Sequence, residues 1–274
     1  MKFEKLTIVK HNIPYLTTPD FARIPELAAG FPTRAGGVSQ GDHASFNFGF
    51  SRGDRPERVT ENYRILADLL GADPERIAAT RQVHSARVLL AERDGVANPF
   101  VGHAFTQADG MITGEAGIFP VCYYADCIPL LLYAPDKRVC AAVHSGWRGT
   151  QKRILAVALQ RMIEEFHIDP SQTLMAIGPS ICPSCFEVGE EVAELFRETF
   201  PAHPELILQG YAKPHIDLWH AVELTGLEMG MREDHITCLN ECCFEHPERY
   251  FSHRVHGERR GVLMALIGRR KETL

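Results

Sequence analysis

The sequence predicts an α/β (α+β) fold, a single-domain layered sandwich in which helices flank a mixed β-sheet. One reason is the presence of short, continuously apolar runs, which are typical of strands buried on both faces. These runs are 118–124, 130–133, 138–143, 174–177 and 262–267. The other reason is that amphipathic stretches with helical spacing alternate with them. No repeat or long linker interrupts the 274 residues, so we expect one domain over 1–274, with its core at about 31–268.

Four segments have the apolar spacing of helices. They are 54–70, 150–166, 187–200 and 217–230. In the first, Asp54 and Glu57 predict a capping box and Gly71 predicts the end of the helix. In the third, Leu195 belongs to the expected apolar face, and Asp217 is the expected N-cap of the fourth. A turn at 134–137 is expected to join two neighbouring strands of the core.

Composition and charge exclude several classes of function. With 29 Lys+Arg and 35 Asp+Glu, the formal net charge is −6, which argues against nucleic acid as the main partner. No run approaches the roughly 18 apolar residues of a membrane span, and the first residues lack the apolar region of a signal peptide. We therefore expect a cytoplasmic protein without a membrane partner, whose oligomeric state the sequence leaves open. Its eight cysteines are then expected to be thiols, metal ligands or nucleophiles rather than disulfides.

Three potential metal ligands lie beside the apolar runs. His84, Cys127 and His144 are far apart in the chain, so only the fold could bring them together. Two imidazoles and one thiolate are a ligand set that tetrahedral Zn²⁺ accepts when one position stays open for water or substrate. In a metal-free alternative, Cys127 is a nucleophile activated by either histidine, and Asp126 orients the base. The second histidine favours the metal.

Other segments resemble anion-binding or pocket-lining sequences. Arg34 precedes a glycine-rich loop at 35–41, which forms either an anion nest or a simple turn. Asn47 lies between aromatic residues, as a pocket-facing amide or within a capped turn. Arg148 is at an expected helix N-terminus after a strand, where α/β proteins bind anions. His253 belongs to the stretch FSHRVHGERRG at 251–261, either a solvated basic loop or part of a pocket.

Four further cysteines lie near the middle and towards the end of the chain. Cys182 and Cys185 form a Cys-x-x-Cys pair, but Cys242 and Cys243 are adjacent and lack the matching spacing. Two interpretations are a structural zinc site and buried thiols. The spacing favours buried thiols.

Taken together, these motifs resemble a known family. TRAGGVS, QVHSARV, QADGMIT, ADCIPLLL, AAVHSGWRGT, AIGPSICPSCFEVG, DLW and FSHR occur in this order. The order is similar to that of the laccase-domain, YfiH-like proteins, now regarded as purine nucleoside phosphorylases and earlier described as polyphenol oxidases. The resemblance runs from about Phe31 to Gly268, and several of its motifs are long.

The resemblance implies a layered α/β fold and a zinc site whose ligands correspond to His84, Cys127 and His144. It also implies phosphorolysis of adenosine, inosine, guanosine and S-methyl-5'-thioadenosine, together with adenosine deamination. The main alternative is a copper-dependent, laccase-like polyphenol oxidase, because the same three ligands accept Cu²⁺. Multicopper oxidases also need a histidine-rich cluster, however, and the sequence contains no His-x-His pair.

The sequence also offers candidates for the remaining roles. Arg34 and Arg148 are candidates for binding phosphate, and Trp147 or Phe48 for stacking on the purine. For deamination, a residue that shuttles a proton is expected among three candidates. They are Asp109, Asp126 and His253.

Overall fold

The computed structural model describes residues 1–91 and 106–271. Within these ranges, the strands form two large sheets and one small one. The first sheet has the order β1 (Lys2–Phe3), β14 (Ile236–Cys238), β11 (Leu174–Ile177), β9 (Ile128–Ala134), β10 (Val139–Ser145), β7 (Gly110–Thr113) and β6 (Val88–Leu90). The second has the order β2 (Leu6–Lys10), β3 (Ile13–Thr17), β4 (Leu27–Pro32), β15 (Leu263–Arg269), β8 (Phe119–Tyr124) and β5 (Ile77–Ala78). The small sheet pairs β12 (Ile207–Leu208) with β13 (His215–Ile216).

The helices of the described residues cover the outer faces of these sheets. They are α1 (Pro19–Ala22), α2 (Pro56–Leu70), α3 (Trp147–Gln151), α4 (Ile154–Phe166), α5 (Glu190–Thr199), α6 (Leu218–Glu228) and α7 (His253–His256). None of them has both the length and the apolar composition needed to cross a membrane.

The two large sheets pack face to face between helices. Leu130 and Leu132 of β9 lie in the apolar core beneath α4 and α6, whereas Leu131 and Tyr133 lie in the core shared with the second sheet. This alternation follows from the period of two along a strand. Because both faces of β9 are buried, its sequence is continuously apolar. On the far side of the second sheet, α2 covers the strands with a buried stripe that includes Tyr63.

The predicted fold class is confirmed, since both sheets contain parallel and antiparallel pairs. The expected turn at 134–137 joins β9 to β10 as an antiparallel pair. Gly71 ends α2 in the left-handed region with φ 69°. Asp217 caps α6, because its side chain accepts the backbone N–H of His220.

Three details of the helices differ from the sequence predictions. Pro56 is the first residue of α2 and Arg55 its cap, without a side-chain capping bond, so the expected capping box does not form. The expected helix 150–166 is divided into α3 and α4, because Arg153 adopts φ 58° between them. Leu195 of α5 is 36 % exposed and lies outside the buried face.

Candidate metal centre and adjoining cavities

The two sheets bring His84, Cys127 and His144 together. His144 is the penultimate residue of β10, Cys127 lies in the short connection from β8 to β9, and His84 lies between β5 and β6. Their potential ligand atoms all lie within 4.8 Å of one another. Cys127 Sγ is 3.8 Å from His84 Nε2, and the two imidazole rings are 4.9 Å apart at an angle of 81°.

The backbone around these ligands adopts uncommon conformations. His84 has φ 58° and Asp126, which precedes Cys127, has φ 83°, in a region that residues other than glycine adopt infrequently. Such conformations cost on the order of 1–3 kcal/mol each and persist where the surroundings hold them. Here Asp126 O accepts the backbone N–H of Ile181 at 2.8 Å, and the N–H of His84 is bonded to Asp109 Oδ1 at 2.9 Å.

Gly146 provides the space beside the three ligands. A Cβ atom at this position would lie 2.8 Å from His84 Cδ2 and 3.0 Å from Cys127 Sγ. Its φ of −69° and ψ of 168° are open to any residue, so the surroundings rather than the backbone restrict this position to glycine.

Asp109 fixes the orientation of the ligands. Its carboxylate accepts a hydrogen bond from His144 Nδ1 at 2.9 Å and three more from the backbone N–H groups of residues 83–85. Burial opposes ionisation, yet the bonds from His144 and Ser85 lower the pKa of Asp109 to about 2. Asp109 therefore holds the ring of His144 so that Nε2 faces Cys127, as outer carboxylates do at histidine-ligated metals.

The electrostatics of the group favour a thiolate. Burial raises the pKa of Cys127, but the neighbouring imidazoles of His144 and His84 lower it to about 6. The pKa of His144 rises to about 9, against the effect of burial, because Cys127 and Asp109 stabilise its protonated form. A metal ion bound here would replace this proton as the positive charge facing the sulfur.

The donor set fits a zinc-type or copper-type ion. Two imidazole nitrogens and a thiolate converge, an outer carboxylate fixes one imidazole, and Gly146 leaves the adjacent volume free. Such a three-ligand arrangement is that of an open metal site. The donor atoms suit Zn²⁺ and copper alike.

Two cavities meet at this group. The larger, of about 510 Å³, has an aromatic wall formed by Phe48, Phe50, Tyr63, Tyr123 and Tyr124. The smaller, of about 400 Å³, is lined by Arg52, Arg148, Arg254 and Arg260 and by two acidic residues, Asp126 and Glu258, the second of which pairs with Arg52. His84, Cys127 and Arg260 line both. Volumes in this range are those of small-molecule sites.

The structure places Asp126, Arg148 and His253 along the smaller cavity. Asp126 Oδ2 accepts the backbone N–H of Arg254 at 2.8 Å, whereas its buried Oδ1 has no partner among the described residues. Arg148 packs its guanidinium 4.1 Å above the Trp147 ring. Trp147 thus lies in the smaller cavity and Phe48 in the larger one.

Arg34 and Asn47 lie outside the residues that line these cavities. Arg34 donates to the carbonyl groups of Ala44 at 2.9 Å and Pro247 at 2.7 Å. Asn47 donates to Asp54 and accepts from the backbone N–H groups of Gly49 and Val262. These bonds correspond to the capped turn, the second of the two alternatives for Asn47.

The glycine-rich loop after Arg34 is not an open anion nest. The N–H groups of Gly36 and Gly37 both donate to Ser45 Oγ, and that of Val38 donates to Asn62. The geometry therefore corrects the expected role: Arg34 and its loop make structural contacts, and the cavity arginines remain as the candidates for phosphate.

The sequence analysis assigned no individual role to Arg260 or Gln82. Arg260 is 8 % exposed, its Nε has no partner among the described residues, and it lines both cavities. Gln82 lines the larger cavity and pairs with the backbone of Tyr123 through both its amide atoms. The position of Arg260 in the basic stretch 251–261 was the sequence feature that could have indicated its place in the cavities.

Comparison with known proteins identifies the family. The model of the family described as "Multi-copper polyphenol oxidoreductase laccase" matches residues 28–270. The chain belongs to this family.

Relatives within this laccase family carry a different kind of name. A Bacteroides thetaiotaomicron protein named purine nucleoside phosphorylase is 33% identical over 276 residues, which is 96% of this chain and 97% of the relative. A Geobacillus stearothermophilus protein named purine nucleoside phosphorylase YlmD is 34% identical over 249 residues, 89% of this chain and 90% of the relative. The crystal structure of YlmD from Geobacillus stearothermophilus matches with a TM-score of 0.87 at 31% identity, covering 97% of this chain and all of that one.

Proposed function

We propose that the chain is a zinc-dependent purine nucleoside phosphorylase that also deaminates adenosine. Its expected substrates are adenosine, inosine, guanosine and S-methyl-5'-thioadenosine, with phosphate as the second substrate. The observation that carries the proposal is the meeting of an aromatic cavity and an arginine-rich cavity at the His84, Cys127 and His144 group. The names of the relatives support it.

The nucleoside is assigned to the larger cavity. Aromatic side chains offer flat, apolar surfaces on which a purine stacks. Tyr63 is fully buried and stacks on Phe50 at 5.7 Å, so the half-buried Phe50 and Tyr123 are the rings of the cavity wall that a purine would meet. Thr80 lines the same cavity; its hydroxyl donates to Ala108 O at 2.8 Å, so only the acceptor capacity of this oxygen remains for a ligand.

Phosphate is assigned to the smaller cavity. Guanidinium groups bind phosphate oxygens in a bidentate manner. The guanidinium group of Arg148 makes no hydrogen bond or ion pair with the part of the chain that the structure describes, and it packs on the Trp147 ring. The buried Nε of Arg260 has no such partner either. Both groups are therefore available for an anion beside Cys127.

Phosphorolysis requires a phosphate oxygen to bond to the anomeric carbon while the bond from that carbon to the purine nitrogen breaks. A metal held by His84, Cys127 and His144 would supply a Lewis acid for a substrate oxygen at the junction of the cavities. Arg148 and Arg260 would orient the phosphate. For deamination, the first candidate to transfer a proton is Asp126, whose buried Oδ1 has no partner among the described residues. His253 is the second candidate for this proton, whereas Asp109 is held by five donors.

One assay tests the proposal directly. Purified protein is given adenosine with and without phosphate, and adenine and inosine are measured separately. We expect adenine only when phosphate is present, and inosine in both conditions. Cys127→Ser should abolish both products, while Cys140→Ser, a buried thiol in the core between the sheets, should leave both unchanged.

Substitution of Arg148 is expected to distinguish phosphorolysis from deamination. Loss of a hydrogen bond to a charged group costs about 1.5–3 kcal/mol, so Arg148→Ala should slow phosphorolysis by roughly 10- to 150-fold. Deamination needs no phosphate and should change little. Arg64→Ala, at an exposed position of α2, is the matched control. Adenine release without phosphate, or equal loss of both reactions in Arg148→Ala, would contradict the assignment.

A second candidate is a metal-free cysteine hydrolase, favoured by the lowered pKa of Cys127 and its 3.8 Å distance from His84. Alkylation distinguishes the two. A nucleophilic Cys127 should react at the same rate with or without chelator, whereas a metal-bound thiolate should be protected until the metal is removed.

A further inference from the structure

A second cluster of thiols lies away from the first metal group. The sulfur atoms of Cys182, Cys185 and Cys242 lie within 4.8 Å of one another. Cys182 and Cys242 are buried and Cys185 is half-buried. Cys243 does not join them: it belongs to the core between the two large sheets.

The exposed side chain of Glu245 lies beside this cluster and contacts one of its sulfurs, but it is not part of the group within 4.8 Å. Its Oε1 lies 3.6 Å from Cys185 Sγ, close enough to accept from that thiol. The four side chains come from two short segments with the same spacing, Cys182-x-x-Cys185 and Cys242-x-x-Glu245. Two such halves are the usual construction of a tetrahedral zinc site, and zinc accepts carboxylate oxygen alongside sulfur. The sequence analysis sought the partner of the Cys182 and Cys185 pair in Cys242 and Cys243, which lack its spacing, and so overlooked the second half.

Backbone hydrogen bonds hold the cluster in place. The N–H of Cys182 donates to Cys242 Sγ at 3.3 Å. The two segments are joined nearby by backbone bonds, from Ser180 to Glu241 O and from Cys243 to Ser180 O, both at 3.0 Å.

We propose that Cys182, Cys185, Cys242 and Glu245 bind a structural Zn²⁺ that joins the 180–187 segment to the 241–246 segment. In a tetrahedral site with zinc–sulfur distances of about 2.3 Å, the sulfurs are separated by roughly 3.8 Å. The three sulfurs, within 4.8 Å of one another, would have to draw slightly closer together, and the exposed Glu245 side chain would have to turn towards Cys182 and Cys242. Ile181 and Phe186 of the first segment line the smaller cavity, so this zinc would brace one wall of the proposed active site.

Zinc content per chain tests the proposal independently of activity. Protein equilibrated with excess zinc and then desalted should hold two equivalents in the wild type. Cys127→Ser and Cys185→Ser should each hold one, and the double variant none. Cys140→Ser, which removes a buried thiol elsewhere, should still hold two. Cys185 is half-buried, so this variant avoids a change in the fully packed core.

The Cys127→Ser background separates this result from the proposed function, because it lacks a ligand of the first site. In that background, cobalt loading should give a thiolate-to-metal absorption band that Cys185→Ser removes. Equal zinc content with and without Cys185 would overturn the proposal. A disulfide between Cys182 and Cys242, detected as a loss of two hydrogens by mass spectrometry of native protein, would overturn it as well. Retention of zinc in Glu245→Gln would restrict the ligand set to the three thiols and refute the carboxylate's part in it.

Discussion

Gly146→Ala is expected to weaken metal binding at the first site without removing any ligand. The new Cβ would lie 2.8 Å from His84 Cδ2 and 3.0 Å from Cys127 Sγ, whereas carbon contacts are optimal at about 3.5–4.0 Å. The two ligands must therefore move by roughly 0.5–1 Å. Zinc sites tolerate deviations of about 0.2 Å in ligand distance.

The size of the effect follows from this displacement. Removing a side chain that hydrogen-bonds to a metal ligand weakens metal binding by roughly 10- to 100-fold. Such a change displaces the ligand less than the new Cβ of Gly146→Ala would. We expect Gly146→Ala to reduce zinc affinity by at least this factor, or about 1.4–2.8 kcal/mol. The backbone conformation at Gly146 is compatible with alanine, so the metal-free variant should unfold at nearly the wild-type temperature.

Gly149→Ala is the matched control. Its Cβ would meet Ile154 Cγ2 at 3.4 Å and no atom closer, and alanine favours a helix such as α3 by up to about 1 kcal/mol. Zinc affinity is measured by competition with a chromophoric chelator, with all proteins carrying Cys185→Ser so that the thiol cluster does not contribute. Unchanged affinity in Gly146→Ala, or an equal loss in Gly149→Ala, would refute this account of the site.

Three further predictions follow from buried contacts. Asp109→Asn should lower zinc affinity by roughly 10- to 100-fold, measured by the same competition, because it weakens the hold on His144; an unchanged affinity would contradict its orienting role. Arg34→Ala should lower the free energy of unfolding by about 1–3 kcal/mol in urea titrations and leave the ratio of phosphorolysis to deamination unchanged; a selective loss of phosphorolysis would return Arg34 to the phosphate site. Burial raises the pKa of Glu241, but Lys5 and Tyr250 lower it below the ordinary value, so its contribution to stability is present above about pH 4.3 and lost as the pH falls through the lower folded-state pKa. Urea titrations between neutral and acidic pH should therefore show a shallower acid-side loss of stability in Glu241→Gln than in the wild type.

The fold class was predictable because the central strands are buried on both faces. β9 and β10 contribute alternate residues to two different cores, and this requirement leaves a continuous apolar run in the sequence. The pattern could not show that 118–124 belongs to the second sheet as β8. Sheet membership depends on long-range pairing with β15 and β5, which no local pattern records.

The three metal-ligand candidates were also predictable, since polar residues beside buried strands are rare and costly unless they have a use. The roles of the glycine loop and Asn47 were not. Both depend on which distant group meets them: Ser45 occupies the N–H groups of Gly36 and Gly37, and Val262 donates to Asn47. The missing capping box has a local cause, because Pro56 places the start of α2 after Asp54.

The ligand set alone does not decide between the oxidase and phosphorylase descriptions of this family. Copper and zinc both accept two imidazoles and a thiolate, so copper in a preparation would not establish oxidase chemistry. Multicopper oxidases require a separate histidine-rich copper cluster, and the second metal-ligand group found within residues 1–91 and 106–271 consists of cysteines. What surrounds the first group is a pair of cavities, one aromatic and one rich in arginine. An electron-transfer reaction has no need of arginine side chains beside its metal, whereas a reaction that brings phosphate to a nucleoside does.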